Sequence, residues 1–592
     1  MIVWMVLPAL VIFGAVYLVP LAKLVAASFF RDGALTLSNH LDLIGSASFR
    51  DIVLRTFKMA VVVTFFTLLL GYPAAYFLSR LAPRRAALLL LLVTVPYLTS
   101  ILIRSYAWIV LLGPTGLINR SLLWVGIVDE PVRLMFNMTG AYIGMVQIQL
   151  PLMIFALYAP MQRIDRTLLN AAQSLGGNRA SAFFQVFLPL SLPGVLGGST
   201  LVFLSSLGFY VTPALLGGTG DYMIAQAIQV RVSNLADYDA ASAQGTLLLL
   251  VVVLAFVLLR RRLTDGISES AAPAATGQRV GNGLRTERMP EAVAQRLHPF
   301  FRALSEVLTW LRLPALYLAM AFCLLYLVAP MVVVVVLAFS DAAYLTFPPP
   351  DYSLRWFRAF FSDQRWLSAL WFSTLCAGLA AVLSTLIAAP AAFALVRRRF
   401  PGRLTLYLLL ISPLVVPRII IGVAVLFAFV PLGISGTPIG FILAYALVGV
   451  PFVVVLFVTG LRRFDRDLEM AAAGLGATPA RVLSTVTLPL LVPTIVSALL
   501  FAFIAGFDDV ELGLFISGPN ATPLPIRMLE NIRLEISPQI AVVGTLLFAA
   551  LIGVFGLHLG VSRLRGLRRR FAKKMILSGT PPRPGAERGA KP

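Results

Sequence analysis

The chain has 592 residues, 59% of them hydrophobic and only 12% charged, with a mean hydropathy of +0.90 and a net charge of +22. Soluble domains carry about 25% charged residues, so this composition excludes an ordinary soluble protein and predicts an all-α polytopic membrane protein. The positive charge does not indicate a nucleic-acid partner, because the basic residues collect beside apolar runs, as the positive-inside rule requires.

Apolar runs near or above the roughly 20 residues that cross a bilayer recur in two groups of six. Basic clusters follow the second, sixth and eighth runs, at 80–85, 260–262 and 397–399. Together with the basic tail, they all lie on one side of the membrane if both termini are cytoplasmic. The predicted spans lie at about 3–28, 57–79, 86–113, 138–160, 186–212, 243–259, 314–339, 367–396, 404–431, 438–460, 487–507 and 539–561.

The loop between the fourth and fifth spans is polar enough to form a short helix outside the membrane. Asp165 stands at the N-cap position, where a side chain accepts hydrogen bonds from the unpaired amides of the first turn. Gly176 suits the left-handed backbone conformation that ends a helix. A second short helix is predicted to begin at Asn178 and to lead through Leu188 and Pro189 into the next span. A narrow face with small residues is formed at helical spacing by Leu168, Ala171, Ala172 and Leu175.

The segment 261–312 separates the two groups of spans and is rich in Ala, Gly, Ser, Pro and charged residues. This composition predicts a flexible cytoplasmic linker, whose end at 298–312 fits an amphipathic surface helix leading into the seventh span. The predicted organisation is therefore a first membrane domain at 1–260, the linker, a second membrane domain at 313–562, and a basic cytoplasmic tail at 563–592.

The loop after the tenth span repeats the first loop at an offset of 300 residues. Between 165 and 195, 13 of 31 positions match, including Asp, Arg, Gly and Pro residues that chance in apolar sequence does not explain. One copy alone would fit an ordinary amphipathic loop, but two copies on the same side predict a docking surface for a partner with two similar sites. The counterparts in the second copy include Asp465, Ala471, Ala472, Gly476, Leu488 and Pro489.

These loops resemble the EAA loop of ATP-binding-cassette importer permeases, which reads E-A-A-x-x-x-G, nine residues, then I-x-L-P. Both copies lack the glutamate that names the loop, because Asn170 and Met470 stand in its place, although Glu469 lies one residue away from Met470. The resemblance implies two type I importer permease domains of about six transmembrane helices each, with coupling helices at about 165–180 and 465–480.

In that family each coupling helix lies in a groove of an ATPase subunit. The resemblance therefore implies two ATPase subunits on the cytoplasmic face, an extracytoplasmic solute-binding protein, and a multi-pass location in the bacterial inner membrane with both termini cytoplasmic. No Gly-Lys-Ser/Thr phosphate loop is present, since none of the five lysines follows a glycine. We expect the chain to be no enzyme and to bind no cofactor, with ATP and Mg²⁺ held by the partner subunits.

Longer stretches narrow the resemblance to permeases of the spermidine/putrescine type. The first half carries ILIRSYAWIVLLG (101–113) and GFYVTPALLGGTGDYMIAQAI (208–228), which are similar to one permease subunit. The second carries SLRWFRAFFSD (353–363) and FAFIAGFDDVELGLFISGP (501–519), which are similar to its usual partner. The chain resembles a natural fusion of the two, and a polyamine is the expected substrate. Iron, aminoethylphosphonate, opines and amino-acid-like solutes are the alternatives among related systems.

Ionisable residues at membrane depth are costly and indicate a functional site by default. Asp508, Asp509 and Glu511 follow the eleventh span, where carboxylates would suit a cationic substrate. The alternative is that they cap a short outer helix or lie in water.

Two further residues bear on the substrate path. Arg418 lies near the middle of the ninth predicted span, where it either lines the path and disfavours a cation or pairs with a neighbouring carboxylate. Tyr210 stands where the polyamine-type subunit often has a glutamate nearby, and its ring can still hold an amine by a cation–π contact.

A twelve-span secondary transporter driven by an ion gradient is the alternative from another class. The paired Ala-Gly loops and the absence of obvious coupling carboxylates at the midplane speak against it. Cys323 and Cys376 lie in or beside apolar spans and the three histidines are scattered, so neither a disulfide framework nor a metal site is predicted.

Overall fold

The computed structural model describes residues 2–553, except residues 32, 177, 270–290, 520 and 536, together with residue 556. This part of the chain is mostly helical, with one antiparallel pair of short strands, β1 (Phe30–Arg31) and β2 (Ala34–Leu35). The basic tail predicted at 563–592 and the middle of the predicted linker lie outside the described residues.

The described part of the first half contains fourteen helices, two pairs of which are joined by π-helical turns. They are α1 (Ile2–Phe13), a π turn (Gly14–Leu18), α2 (Val19–Ala27), α3 (Ser38–Gly45), α4 (Ala47–Arg80), α5 (Pro83–Tyr97), α6 (Ile101–Leu112), α7 (Leu117–Val125), α8 (Met138–Met161), α9 (Arg166–Ser174), α10 (Arg179–Ala182), a π turn (Phe183–Phe187), α11 (Leu188–Leu207), α12 (Val211–Leu216), α13 (Ile224–Ser233) and α14 (Tyr238–Glu269).

The second half repeats this plan. Its elements are α15 (Glu291–Ala338), α16 (Arg355–Ser362), α17 (Gln364–Arg397), α18 (Arg403–Ile411), a 3₁₀ turn (Ser412–Leu414), α19 (Arg418–Phe429), α20 (Pro438–Arg463), α21 (Asp467–Gly474), α22 (Pro479–Val482), a π turn (Leu483–Thr487), α23 (Leu488–Phe507), α24 (Glu511–Ile516), α25 (Leu524–Leu534) and α26 (Gln539–Gly553). The backbone from 298 to 312, predicted as a surface helix, is helical as the start of the long α15.

Ten helical segments in the described part of the chain are long and apolar enough to cross a membrane. The pair Arg403–Leu414 and Arg418–Phe429 forms an eleventh candidate that is bent by 97°, and α26 is a shorter apolar helix at the place of the predicted twelfth span. The prediction of an all-α membrane protein with about twelve transmembrane helices is thereby confirmed.

Two of the predicted spans are broken instead of straight. The predicted span 86–113 divides into α5 and α6, and the predicted span 404–431 divides between Leu414 and Arg418. In the second case Pro417 has no N–H to continue a helix and disfavours helical backbone at the residue before it. Hydropathy did not reveal either break, because the apolar composition continues across it.

The internal repeat extends over most of each half. The helices α4 and α17 both have 34 residues and carry a proline, Pro73 or Pro390, at the same place. From α8 onward the elements recur at an offset of 300 residues, so that α11 and α23 span 188–207 and 488–507. The predicted repeat is therefore a repeat of structure.

The first span of each half packs on the other half. In the first half, α1 contacts α17, and α2 contacts α19; in the second half, α15 contacts α4, α5 and α6. Hydrogen bonds between the halves accompany this packing. Ser412 Oγ donates to the Tyr17 hydroxyl at 3.1 Å, and the Tyr326 hydroxyl donates to the Ile143 carbonyl at 2.5 Å. The two halves are therefore interlocked, and the residues that follow α11 and α23 meet at their interface.

Candidate functional site

The helices α9 and α21 begin and end as the sequence predicts. The Asp165 carboxylate accepts a hydrogen bond of 2.9 Å from the Thr167 amide, which holds the pKa of Asp165 below its ordinary value. Asp465 accepts the equivalent bond from Asp467 at 3.0 Å, although α21 begins one residue later than α9 does relative to it. Gly176 and Gly476 have φ angles of +88° and +85°, the left-handed conformation that favours glycine.

The outward-facing sides of α9 and α21, away from the membrane helices, present large apolar side chains. Leu175 is 89% exposed and Leu475 is 91% exposed, at equivalent places beside the two left-handed glycines. Ala171 and Ala471 are exposed on the same helices, and the next residue of each, Ala172 and Ala472, is half-buried. Leucines exposed to this degree and repeated on two small helices favour a surface that a partner covers.

The inner sides of the two helices are attached to the membrane domain by different chemistry. The Glu469 carboxylate accepts hydrogen bonds from Arg397 Nη2 at 3.1 Å and from the Thr487 hydroxyl at 2.8 Å. Glu469 therefore faces the body of the protein, while Met470 beside it is exposed.

In the first half the same joint has no carboxylate. Leu169 replaces Glu469 and is buried, and Arg80, the last residue of α4, lies over the rings of Tyr76 and Phe187 at 4.9 and 5.2 Å. Arg166 donates to the carbonyls of Ser79 and Arg80. Asn170, at the place of the family glutamate, lines a cavity between α9 and α4.

The second short helix of each loop is continuous with the following span. Asn178 and Thr478 cap α10 and α22 by accepting from the amides of Ser181 and Arg481. Each helix then passes through a π turn into α11 or α23, where Leu188-Pro189 and Leu488-Pro489 are the first residues. The wider π turn leaves room for a proline ring that would otherwise clash with the preceding turn.

The interface between the halves is built from the residues that follow α11 and α23. The Asp508 carboxylate accepts a 3.2 Å hydrogen bond from the Ile101 amide at the start of α6. At the equivalent place Gly208 packs so closely on Pro417, at the start of α19, that an added Cβ would lie 2.2 Å from the proline ring. The buried Arg104 lies near enough to Asp508 to interact with its charge.

Arg418 and Asp509 form an ion pair. Arg418 Nη1 donates to Asp509 Oδ2 at 2.9 Å, and Asp509 is fully buried. Its other oxygen accepts from the Leu512 amide at 2.7 Å and so caps α24. The structure thus has the pairing that the sequence offered as one alternative for Arg418, and it has the helix capping offered for the carboxylates in the case of Asp509.

Glu511 and Tyr210 face the same interface from opposite halves. Glu511 is 7% exposed, and within the described part of the chain no Lys or Arg nitrogen lies within 4 Å of its carboxylate. The buried Tyr210 hydroxyl accepts a 2.6 Å hydrogen bond from Arg533 in α25. Arg533 was not predicted from the sequence, because an arginine in a partly polar helix such as α25 carries no local signal of a partner in the other half.

No group of three or more His, Cys, Asp or Glu residues that could hold a metal ion occurs among the described residues. Cys323 and Cys376 are both buried and free.

A family model matches the chain twice. The family described as "Binding-protein-dependent transport system inner membrane component" matches residues 67–269 and 381–573, one match in each half. Both repeated loops and the Asp508–Glu511 segment lie inside the matched regions.

Known proteins are similar to parts of the chain. The spermidine/putrescine transport system permease protein PotB of Escherichia coli K12 is 36% identical over 224 residues, which are 38% of this chain and 80% of that protein. The putrescine transport system permease protein PotI of the same strain is 34% identical over 246 residues, 40% of this chain and 86% of that protein. The crystal structure of a bacterial alginate ABC transporter with an alginate-bound periplasmic protein matches with a TM-score of 0.39 and 18% identity, over 44% of this chain and 93% of that one.

Proposed function

The chain belongs to the family of binding-protein-dependent transport system inner membrane components, and we propose that it combines both permease subunits of a polyamine importer in one polypeptide. Relatives named for spermidine and putrescine transport each match about two fifths of the chain, which is the share expected of one subunit in a fusion. The family match does not favour the alternative of an ion-driven secondary transporter.

The substrate path is proposed to run along the interface between the halves, past Glu511 and Tyr210. Polyamines carry several ammonium groups, and a buried carboxylate without an ion-pair partner would stabilise one of them by charge and hydrogen bonding. Arg418 does not oppose this assignment, because Asp509 balances its charge. Asp508 is assigned a structural role as the acceptor for the start of α6.

The single observation that carries the proposed mechanism is the pair of exposed leucines on α9 and α21, Leu175 and Leu475. Two ATPase subunits would cover them on the cytoplasmic face and bind ATP and Mg²⁺, while a solute-binding protein would deliver the substrate from outside. Closure of the two ATPase subunits would move α9 and α21. The continuous helices that pass through Leu188-Pro189 and Leu488-Pro489 would transmit that motion to the interface between the halves. Both termini would lie in the cytoplasm.

Co-purification of the chain with its ATPase subunits tests this mechanism. In the variant Leu175→Asp with Leu475→Asp, each site would have to bury a charge, so we expect the retained ATPase to fall about tenfold or more. The control is Leu534→Asp, which changes a leucine that is 82% exposed at the end of α25, beyond the far end of α23. ATPase retained in full by the double variant would contradict the proposed docking surface.

A further inference from the structure

A cavity of about 530 Å³ lies beneath the first coupling helix, α9. The inner face of α9 forms one wall, and the end of α4, the start of α10 and the beginning of the α15 span form the others. Arg166 and Asn170 line the cavity from α9, and Arg80 and Arg179 line it from α4 and α10. The family match and the proposed function assign no role to this cavity.

The cavity is strongly basic. Three arginines line it, and none of the lining residues that the structure describes is acidic. The Nε atom of Arg80 is buried without a hydrogen-bond partner among the described residues. None of the three arginines forms an ion pair within the described part of the chain, so an anionic ligand would balance their charge.

The equivalent place in the second half has an internal carboxylate. There Arg397, the counterpart of Arg80, is paired with Glu469 of α21, and Pro479 replaces Arg179. Leu169 stands at the place of Glu469 in the first half, and Asn170 at the place of the family glutamate. The first half therefore lacks an internal carboxylate where the second half uses one to attach its coupling helix.

The position of the cavity identifies the kind of anion. Arg80 ends the second span, so the cavity lies at the cytoplasmic boundary of the membrane, and the rings of Phe77 and Tyr317, 4.9 Å apart, form an apolar wall beside the arginines. Arginine guanidinium groups match phosphate geometry, and basic pockets between transmembrane helices at the cytoplasmic side suit anionic lipid head groups.

We propose that this cavity binds the phosphate of an anionic phospholipid head group, and that only the first half has such a site. The bound phosphate takes the place that the Glu469 carboxylate has in the second half, and it attaches α9 to the ends of the second and seventh spans. The first coupling helix thus depends on the lipid composition of the inner leaflet, whereas the second does not.

Native mass spectrometry of the purified full-length chain, titrated with phosphatidylglycerol, tests the site. Arg179→Gln removes an exposed cation, and Asn170→Glu supplies an internal carboxylate; each is expected to weaken lipid binding about tenfold. The controls in the second half are Arg481→Gln, which removes an exposed arginine of α22, and Met470→Glu, at the position equivalent to Asn170. Both are expected to bind as the wild type does. Equal binding by the wild type and Asn170→Glu would overturn the proposal.

Competition distinguishes the two sources of phosphate. We expect phosphatidylglycerol to be retained in preference to phosphatidylcholine and not to be displaced by millimolar inorganic phosphate. Displacement by inorganic phosphate, or equal retention of phosphatidylcholine, would overturn the assignment to an anionic lipid. Because the readout is lipid binding by the chain alone, it does not depend on ATPase subunits or on transport.

Discussion

Glu511 is the residue on which the substrate assignment most depends. It is buried at the interface between the halves, and no ion pair balances its charge within the described part of the chain. Glu511→Gln keeps the shape of the side chain and removes the charge, so we expect spermidine uptake by the reconstituted transporter to fall about tenfold. Glu530→Gln, which changes a more exposed acid of α25, is the control. Uptake at the wild-type rate in Glu511→Gln would remove this residue from the path.

Glu469 is expected to hold α21 against the membrane helices and not to contact a partner protein. Its side chain and that of Arg397 are 24% and 14% exposed, so breaking the pair leaves a half-buried guanidinium and should cost about 1–2 kcal/mol locally. In Glu469→Gln we expect faster amide hydrogen exchange in α21, while Asp467→Asn, an exposed acid of the same helix, leaves the exchange nearly unchanged. Equal exchange in both variants would show that the ion pair does not hold the helix.

Individual residues were predictable where their role is local. Asp165, Gly176 and Gly476 were found because capping and left-handed turns depend on neighbours within a few residues. The partners of Arg418 and Tyr210 lie 91 and 323 residues away, so only the fold could identify them. The sequence left Arg418 with two alternatives for that reason.

At the scale of elements, the turn that ends α21 can be tested with two neighbouring glycines. Gly476 has φ +85° and Gly474 lies in α21, and a Cβ added at either would meet nothing within 4 Å. Gly476→Ala should therefore destabilise α21 by about 1–2 kcal/mol through backbone conformation alone. Gly474→Ala should stabilise it by about 1 kcal/mol. Hydrogen exchange of α21 measures both, and exchange that changes in the same direction in the two variants would contradict the assigned turn.

The elements themselves were predicted unevenly. Apolar runs located most of the spans, because a membrane helix must be apolar along about 20 residues. The breaks near residues 98–100 and 415–417 were missed, since a bend inside the protein keeps the same composition and satisfies its backbone against neighbouring helices. The π turns before Pro189 and Pro489 were missed as well, although a proline that follows a capped helix is a signal for such an adjustment.

The whole molecule is a duplicated fold with unequal halves. The repeat was predictable from matched residues at one offset. The packing of each half's first span on the other half was not, because the apolar sequences of these spans do not specify which half they cover. The halves differ in the side chains at equivalent positions of a shared backbone. Asp508 is equivalent to Gly208 at the interface, and Glu469 of α21 is equivalent to Leu169 of α9. The interface between the halves thereby presents a carboxylate from one half, Glu511, and an aromatic hydroxyl from the other, Tyr210.

Transport by the reconstituted complex tests the central claim most directly. Radiolabelled putrescine or spermidine uptake would be measured in proteoliposomes that hold the chain and two ATPase subunits, with ATP inside and the loaded solute-binding protein outside. We predict uptake that requires ATP, the ATPase subunits and the binding protein together. Uptake by the chain alone, in vesicles without ATP and driven by an ion gradient, would contradict the account.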